Sequence, residues 1–140
     1  DYMFQILEEM RNGTIEPGHI LIFVAGNADC QAILRDIQQR EEKMNKDVER
    51  KIKHIKIHFD EFSTVDSTYQ EIEREAYNPD NLYILPIQLA GYVSQVQKTV
   101  AQNPLPARLS NVIKIIVSTN IIESSITILD LAAVIDSGLY

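Results

Sequence analysis

The sequence predicts an α/β domain whose mainly parallel sheet is covered by helices on both faces. Three observations carry that expectation. Apolar runs recur at residues 20–25, 82–85, 112–117 and 131–135, and runs without polar alternation are typical of strands buried on both sides. Between most of them lie stretches whose apolar residues recur at helical spacing, and a helix joining two strands implies a crossover and parallel pairing. Turn formers mark several joints, at Asn12-Gly13, Pro17-Gly18, Gly26-Asn27 and Asn78-Pro79,.

Each element follows from its own pattern. Met3, Phe4, Ile6, Leu7 and Met10 form one stripe, so residues 1–11 read as a helix,. Residues 28–48 favour a second helix with Ile33, Leu34 and Ile37 inward. Its charged part, residues 38–50, is expected to be a solvated face rather than a partner-binding one,. Ile55, Ile57 and Phe59 alternate with Lys56 and His58, which suggests a short half-exposed strand,. A helix is expected over 69–77, stopped by Asn78-Pro79,. The apolar run 82–85 is followed by Pro86, and a further helix passes through Val93, Val96, Val100 and Ala101. Only Lys114 interrupts the run 112–117.

The chain of 140 residues fits one domain, with residues 40–80 as an elaboration of it,. Cys30 is the single cysteine, which excludes an internal disulfide and a cysteine-clustered zinc site,. An intracellular setting is therefore expected. No apolar run is long enough for a bilayer, and no membrane association is expected,. Of the net charge of −7, residues 1–80 hold seventeen acids and ten bases, whereas residues 81–140 hold three of each. That acidity argues against a broad nucleic-acid coat and leaves room for a small site built from backbone amides.

Ligands of open parallel sheets sit beyond the carboxyl ends of the strands. Two such ends are suggestive. Gly26 directly follows the strand at 20–25, where a bare backbone and a helix start could receive a phosphate, although such glycines commonly serve as plain turns,. After residue 117 comes Ser118-Thr119-Asn120-Ile121-Ile122-Glu123-Ser124-Ser125-Ile126-Thr127. That density of hydroxyls and amides exceeds what capping one helix requires, and such groups can hold phosphate oxygens without a cation. His54 and His58 lack a nearby third ligand, so a metal is not expected,. Arg108 and Lys114 are isolated bases, read as solvated rather than as contacts to a nucleic acid.

The run from Ser118 to Ile128 resembles motif V of the DEAH/DExH-box RNA helicases, A-T-N-I-A-E-T-S-L-T-I. Seven of the eleven positions agree: Thr119, Asn120, Ile121, Glu123, Ser125, Thr127 and Ile128. Val134-Ile135-Asp136-Ser137-Gly138 is similar to the V-V-D-x-G that follows in that family. Pro17-Gly18-His19-Ile20-Leu21-Ile22-Phe23-Val24-Ala25-Gly26 resembles the P-G-D-I-L-V-F-L-T-G of the motif IV strand. Asp1-Tyr2, Leu85-Pro86-Ile87 and Asn103-Pro104-Leu105-Pro106 resemble further landmarks in the same order. The likeness omits residues 40–80.

The resemblance implies a three-layer RecA-like domain of the P-loop NTPase-like fold, the second such domain of an ATP-dependent RNA helicase, reaching up to but not including motif VI. It further implies RNA-backbone contacts by Gly26, Thr119 and Asn120, and coupling to ATP through Ser125, Thr127 and Asp130. ATP and Mg2+ would be held mainly by the first RecA-like domain, since this sequence has neither a G-x-x-x-x-G-K-[ST] run nor D-E-x-H,. No catalytic residue, and no hydrolysis by this chain alone, is expected. The implied partners are single-stranded RNA and the first domain; apart from the resemblance, a protein partner on residues 40–80 is the alternative to a solvated face there. The competing expectation is a degenerate helicase-like module acting as a scaffold, against which Thr119, Asn120 and Ser125 together count.

Overall fold

A computed structural model describes residues 2–16, 18–24, 26–57, 59, 62–89, 93–119 and 131–136. In chain order these form α1 (Tyr2–Arg11), β1 (His19–Val24), α2 (Asn27–Met44), β2 (Ile52–His54), α3 (Val65–Glu75), β3 (Leu82–Leu89), α4 (Gln95–Gln102), a 3-10 turn (Ala107–Leu109), β4 (Val112–Thr119) and β5 (Leu131–Asp136). The five strands make one sheet in the order β2-β3-β4-β1-β5, and every pairing is parallel. The α/β class with helices flanking a parallel sheet is thus observed, and its form is consistent with a three-layer RecA-like fold.

Two apolar clusters lie on the two faces. The first joins Leu7 and Met10 of α1, Cys30 and Ile37 of α2, and Ile20, Ile22, Val24, Ile84, Ile113, Ile115 and Val117 of the sheet. The second joins Leu21, Leu85, Ile87, Leu89, Val112 and Ile116 of the sheet to Ile72 of α3 and Val100 of α4. Alternate residues of one strand therefore belong to opposite layers, as the pleat requires. The solvated face expected for residues 38–50 is partly wrong. Met44 is buried, Arg40 lies 4.6 Å over the Phe4 ring, and Arg11 Nη1 donates to Met44 O at 2.6 Å.

The expected strand around residues 55–59 lies earlier, at Ile52–His54. Side chains at and just past the carboxyl end of α2 hold it there. Asn45 accepts from Ile52 N at 2.7 Å and donates to Ile52 O at 2.8 Å, so its amide mimics a neighbouring strand. Glu41 Oε1 accepts from His54 N at 2.7 Å. The outer edge of β2 is thereby closed, which removes a template for adventitious pairing. Ile55, Ile57 and Phe59 still pack on the second cluster, so their alternation marks a buried face and not a ladder.

α3 starts four residues before the expected position because Thr64 caps it. Thr64 Oγ1 accepts from Ser67 N, and Ser67 Oγ accepts from Thr64 N, a capping box with serine in the place usually held by Glu or Gln,. β3 runs straight through Pro86. Tyr83 N donates to Asn111 O toward β4, while Leu82 N donates to Lys51 O toward β2. By alternation the nitrogen of Pro86 faces the β2 side, beyond His54, where β2 offers no ladder partner,.

Lys114 corrects the expectation of a solvated base. It is fully buried in the middle of β4. Its Nζ donates to Val100 O, Ala101 O and Asn103 O at 2.9, 3.0 and 2.6 Å, closing the carbonyl end of α4. A cation there also complements the negative end of the helix dipole. Its own N–H donates to His19 Nδ1 at 2.9 Å. Replacing Lys114→Met leaves those carbonyls without their donor, and the expected loss is about 2–4 kcal/mol. Urea denaturation checks this, and a midpoint unchanged from that of the native chain contradicts the anchoring role.

Cys30 packs without exposure in the first cluster. Burial, and secondarily the Asp29 carboxylate, push its thiol above the ordinary range. The folded state thus favours the protonated form. That preference contributes stability below the thiol's ordinary pKa and loses it as pH rises through the higher folded value. Native Cys30 is expected to alkylate with iodoacetamide at pH 8 at least tenfold more slowly than in urea, because the thiolate is the nucleophile. Equal rates contradict both its burial and its protonation.

Candidate nucleic-acid interface at the carboxyl edge of the sheet

Strand order creates one crevice. Leaving β1, the chain passes through α2 to β2 on the far edge; after β4 it next enters the sheet on the other side of β1, as β5. Neighbouring strands whose chains depart in opposite directions define a topological switch point. Here that point lies between β1 and β4. Their last registered pair is Val24 and Thr119.

Gly26 follows Val24 by two residues and is the N-cap of α2. The structure therefore brings Gly26 and Thr119 to the same crevice. The backbone at Gly26 is extended (φ −162°, ψ −179°), a conformation open to any residue, and an added Cβ would meet nothing within 4 Å. Neither a turn nor crowding demands glycine at this position. What the missing side chain provides is open approach to the start of α2. Gly26 O accepts from Asp29 N and Cys30 N at 3.1 and 3.3 Å. The first-turn N–H groups at 27 and 28 have no carbonyl one turn behind them, the standard geometry of an anion-receptive helix start. Asp29, exposed in the same turn, offsets part of that positive end,.

Thr119 shares the face of Val24 and Val117, the face covered by α1 and α2, and is half-buried,. Ser118 points to the opposite layer. It is buried, and its Oγ donates to the carbonyls of Leu89 and Thr119 at 3.4 and 3.1 Å. The hydroxyl-rich turn thus loses one member to internal bonding. Asn120, Ser125, Thr127 and Asp130 lie outside the described residues.

Sequence reasoning missed three glutamines at this edge. Gln31 Nε2, on the second turn of α2, donates to Gln88 Oε1 near the end of β3 at 2.7 Å. Gln97 Nε2, at the start of α4, donates to Gln88 O at 2.5 Å. Gln88 is in register with Val117, so its side chain shares the Thr119 face,. From strand spacing and rise, Gln88 and Thr119 stand about 8 Å apart. No short motif marks glutamines separated by 57 residues in the chain; only the sheet order unites them.

Arg108 and Lys114 lie away from the crevice. Arg108, before the amino end of β4, donates from Nε to Glu73 Oε2 at 2.9 Å, both side chains half-exposed. Lys114 is spent on α4. His54 Nδ1 lies 3.2 Å from Glu41 Oε2, at an angle that makes no hydrogen bond. Among the described residues no three His, Cys, Asp or Glu side chains gather as a metal would require, and no helix is long and apolar enough to cross a membrane.

The crevice can therefore offer backbone N–H groups, one hydroxyl and side-chain amides, a set suited to oxygen-rich, uncharged or anionic groups. Comparison with protein-family models finds no match, and comparison with curated proteins finds none either.

Proposed function

We propose that the chain is the second RecA-like domain of an ATP-dependent RNA helicase of the DEAH/DExH type, and that it grips the sugar-phosphate backbone of one RNA strand. The observation that carries this is the meeting of Gly26 and Thr119 at the β1/β4 switch point. Those are two of the positions where the motif resemblance puts RNA contacts, and they lie far apart in sequence. A parallel α/β sheet of the right class supports it.

In the mechanism, α2's first N–H groups receive one phosphate while the Thr119 hydroxyl donates to the same strand. Asn120 adds a third contact on the motif resemblance. Ser125, Thr127 and Asp130 would face the nucleotide of the first domain. ATP and Mg2+ would be bound mainly there, and hydrolysis would alternate closed and open arrangements of the two domains. Net work along the strand then comes from the different affinities of those arrangements for nucleotide and RNA. No residue of this chain is assigned to bond breaking.

A scaffold role has one observation in its favour. Phe62 and Tyr77, flanking α3 within the acidic elaboration, are 86% and 78% exposed. Such aromatics suit a protein partner on that region.

The test uses the intact protein and a labelled single-stranded RNA, with binding followed by fluorescence anisotropy at low salt. Thr119→Val is expected to weaken binding about five- to tenfold, the net worth of one ordinary hydrogen bond. Gly26→Ala is expected to fold normally and to bind more weakly, because the new methyl occupies the approach and nothing else. Arg108→Ala is expected to stay within twofold. Unchanged affinity in both Thr119→Val and Gly26→Ala contradicts the RNA-gripping role and favours the scaffold.

A further inference from the structure

The glutamines at the crevice have a chemistry that the motif resemblance does not describe. Gln88 is held from both layers: Gln31 of α2 bonds its side chain, and Gln97 of α4 bonds its carbonyl. The Gln97 contact is itself set by the Ser94 cap, whose Oγ accepts from Gln97 N at 3.1 Å. Gln88 O points toward the side that β2 leaves vacant beyond His54, so the Gln97 amide replaces a missing strand. Fixing two long amide side chains in a largely exposed pair costs side-chain entropy comparable to the net worth of one hydrogen bond. Stability does not account for the pair.

What the pair does is fix the direction of the groups it leaves over. Among the described residues nothing partners Gln31 Oε1 or Gln88 Nε2. One carbonyl acceptor and one amino donor therefore remain on the bonded pair. Turning both amides over together preserves that outcome, since the bonded pair then still retains an oxygen and an NH2. A neutral donor beside an acceptor complements a hydroxyl, which both donates and accepts. It is a poor match to a phosphate, which only accepts.

We infer that the Gln31–Gln88 pair binds a ribose 2′-hydroxyl of the strand whose phosphates lie at Gly26 and Thr119, and so makes the site select RNA over DNA. This rests on the backbone-gripping role proposed above. The spacing of about 8 Å from Gln88 to Thr119 separates the two contacts enough for one strand to touch both. A 2′-hydroxyl is the group that distinguishes the two nucleic acids at a backbone contact.

The experiment compares RNA, DNA and 2′-O-methyl oligonucleotides of one sequence on the intact protein, by anisotropy at low salt. The native protein is expected to bind RNA about tenfold more tightly than DNA, with 2′-O-methyl RNA near DNA. Gln31→Ala, exposed on α2, and Gln88→Leu are each expected to reduce that ratio to within twofold while leaving DNA affinity unchanged. Circular dichroism checks that both variants keep the native spectrum; if Gln88→Leu does not, Gln31→Ala alone decides. Equal binding of RNA and DNA by the native protein, or a preference that survives the variants, overturns this inference and leaves the backbone role standing. Binding to neither oligonucleotide overturns both.

Discussion

The register between β1 and β4 is the constraint on which the rest of the molecule depends. Ile20, Ile22 and Val24 lie beside Ile115, Val117 and Thr119 under the α1/α2 layer, while Leu21 lies beside Ile116 under the other. Sliding β4 by one residue would turn every side chain to the wrong layer. Hydrophobic residues on both faces would tolerate that better than Lys114 does. Its ammonium reaches three carbonyls of α4, and its N–H meets His19. A slip would drive the cation into the α1/α2 core and strand those carbonyls. The buried lysine thus selects one register, and that register is what sets Thr119 beside Val24 at the mouth. Specification of this kind by a buried polar group is a known use of such groups, at some cost in stability.

Much of this was legible in the sequence. The runs at 20–25, 112–117 and 131–135 became β1, β4 and β5 with boundaries shifted by at most two residues, because strands buried on both sides announce themselves by composition alone,. The helix stripe at Met3 to Met10 was equally plain, while the one expected through Val93 begins only after it, because Ser94 caps α4 at Gln95. What misled was chemistry supplied from outside the segment. β2 sits at Ile52–His54 because Asn45 and Glu41 satisfy its edge, and neither residue is part of its pattern. α3 begins at a Thr-Ser box, which departs from the usual second partner. The run read over 82–85 continues through Pro86 to Leu89, and the proline is tolerated because β2 has ended before it.

The candidate site divides in the same way. Gly26 and Thr119 were identifiable as strand-end residues, and their meeting required only the strand order. The glutamines were not identifiable, since a side-chain amide is chemically ordinary until topology gives it a neighbour. Ser118 shows the reverse error: its hydroxyl counted toward a polar turn, but the pleat directs it into the opposite layer. Alternation along β4, read from Ile113 inward, was enough to separate Ser118 from Thr119, had the face of each been assigned.

The charge distribution acquires a physical sense from this geometry. A surface that carries most of its acids in residues 1–80 repels a polyanion at long range,. The contacts proposed at the mouth come from N–H groups, a hydroxyl and amides, and none of these depends on releasing condensed counterions. Affinity from such groups is geometric and falls less steeply with salt than affinity from lysine and arginine. It is also weak while Asp29 shares the helix start. Weak, neutral contacts fit the proposed stepping grip, because a domain that releases and retakes a strand in each cycle gains nothing from holding it tightly. Differences between two arrangements of the grip matter more than its strength in either one, and small backbone-directed bonds change readily when a neighbouring domain moves.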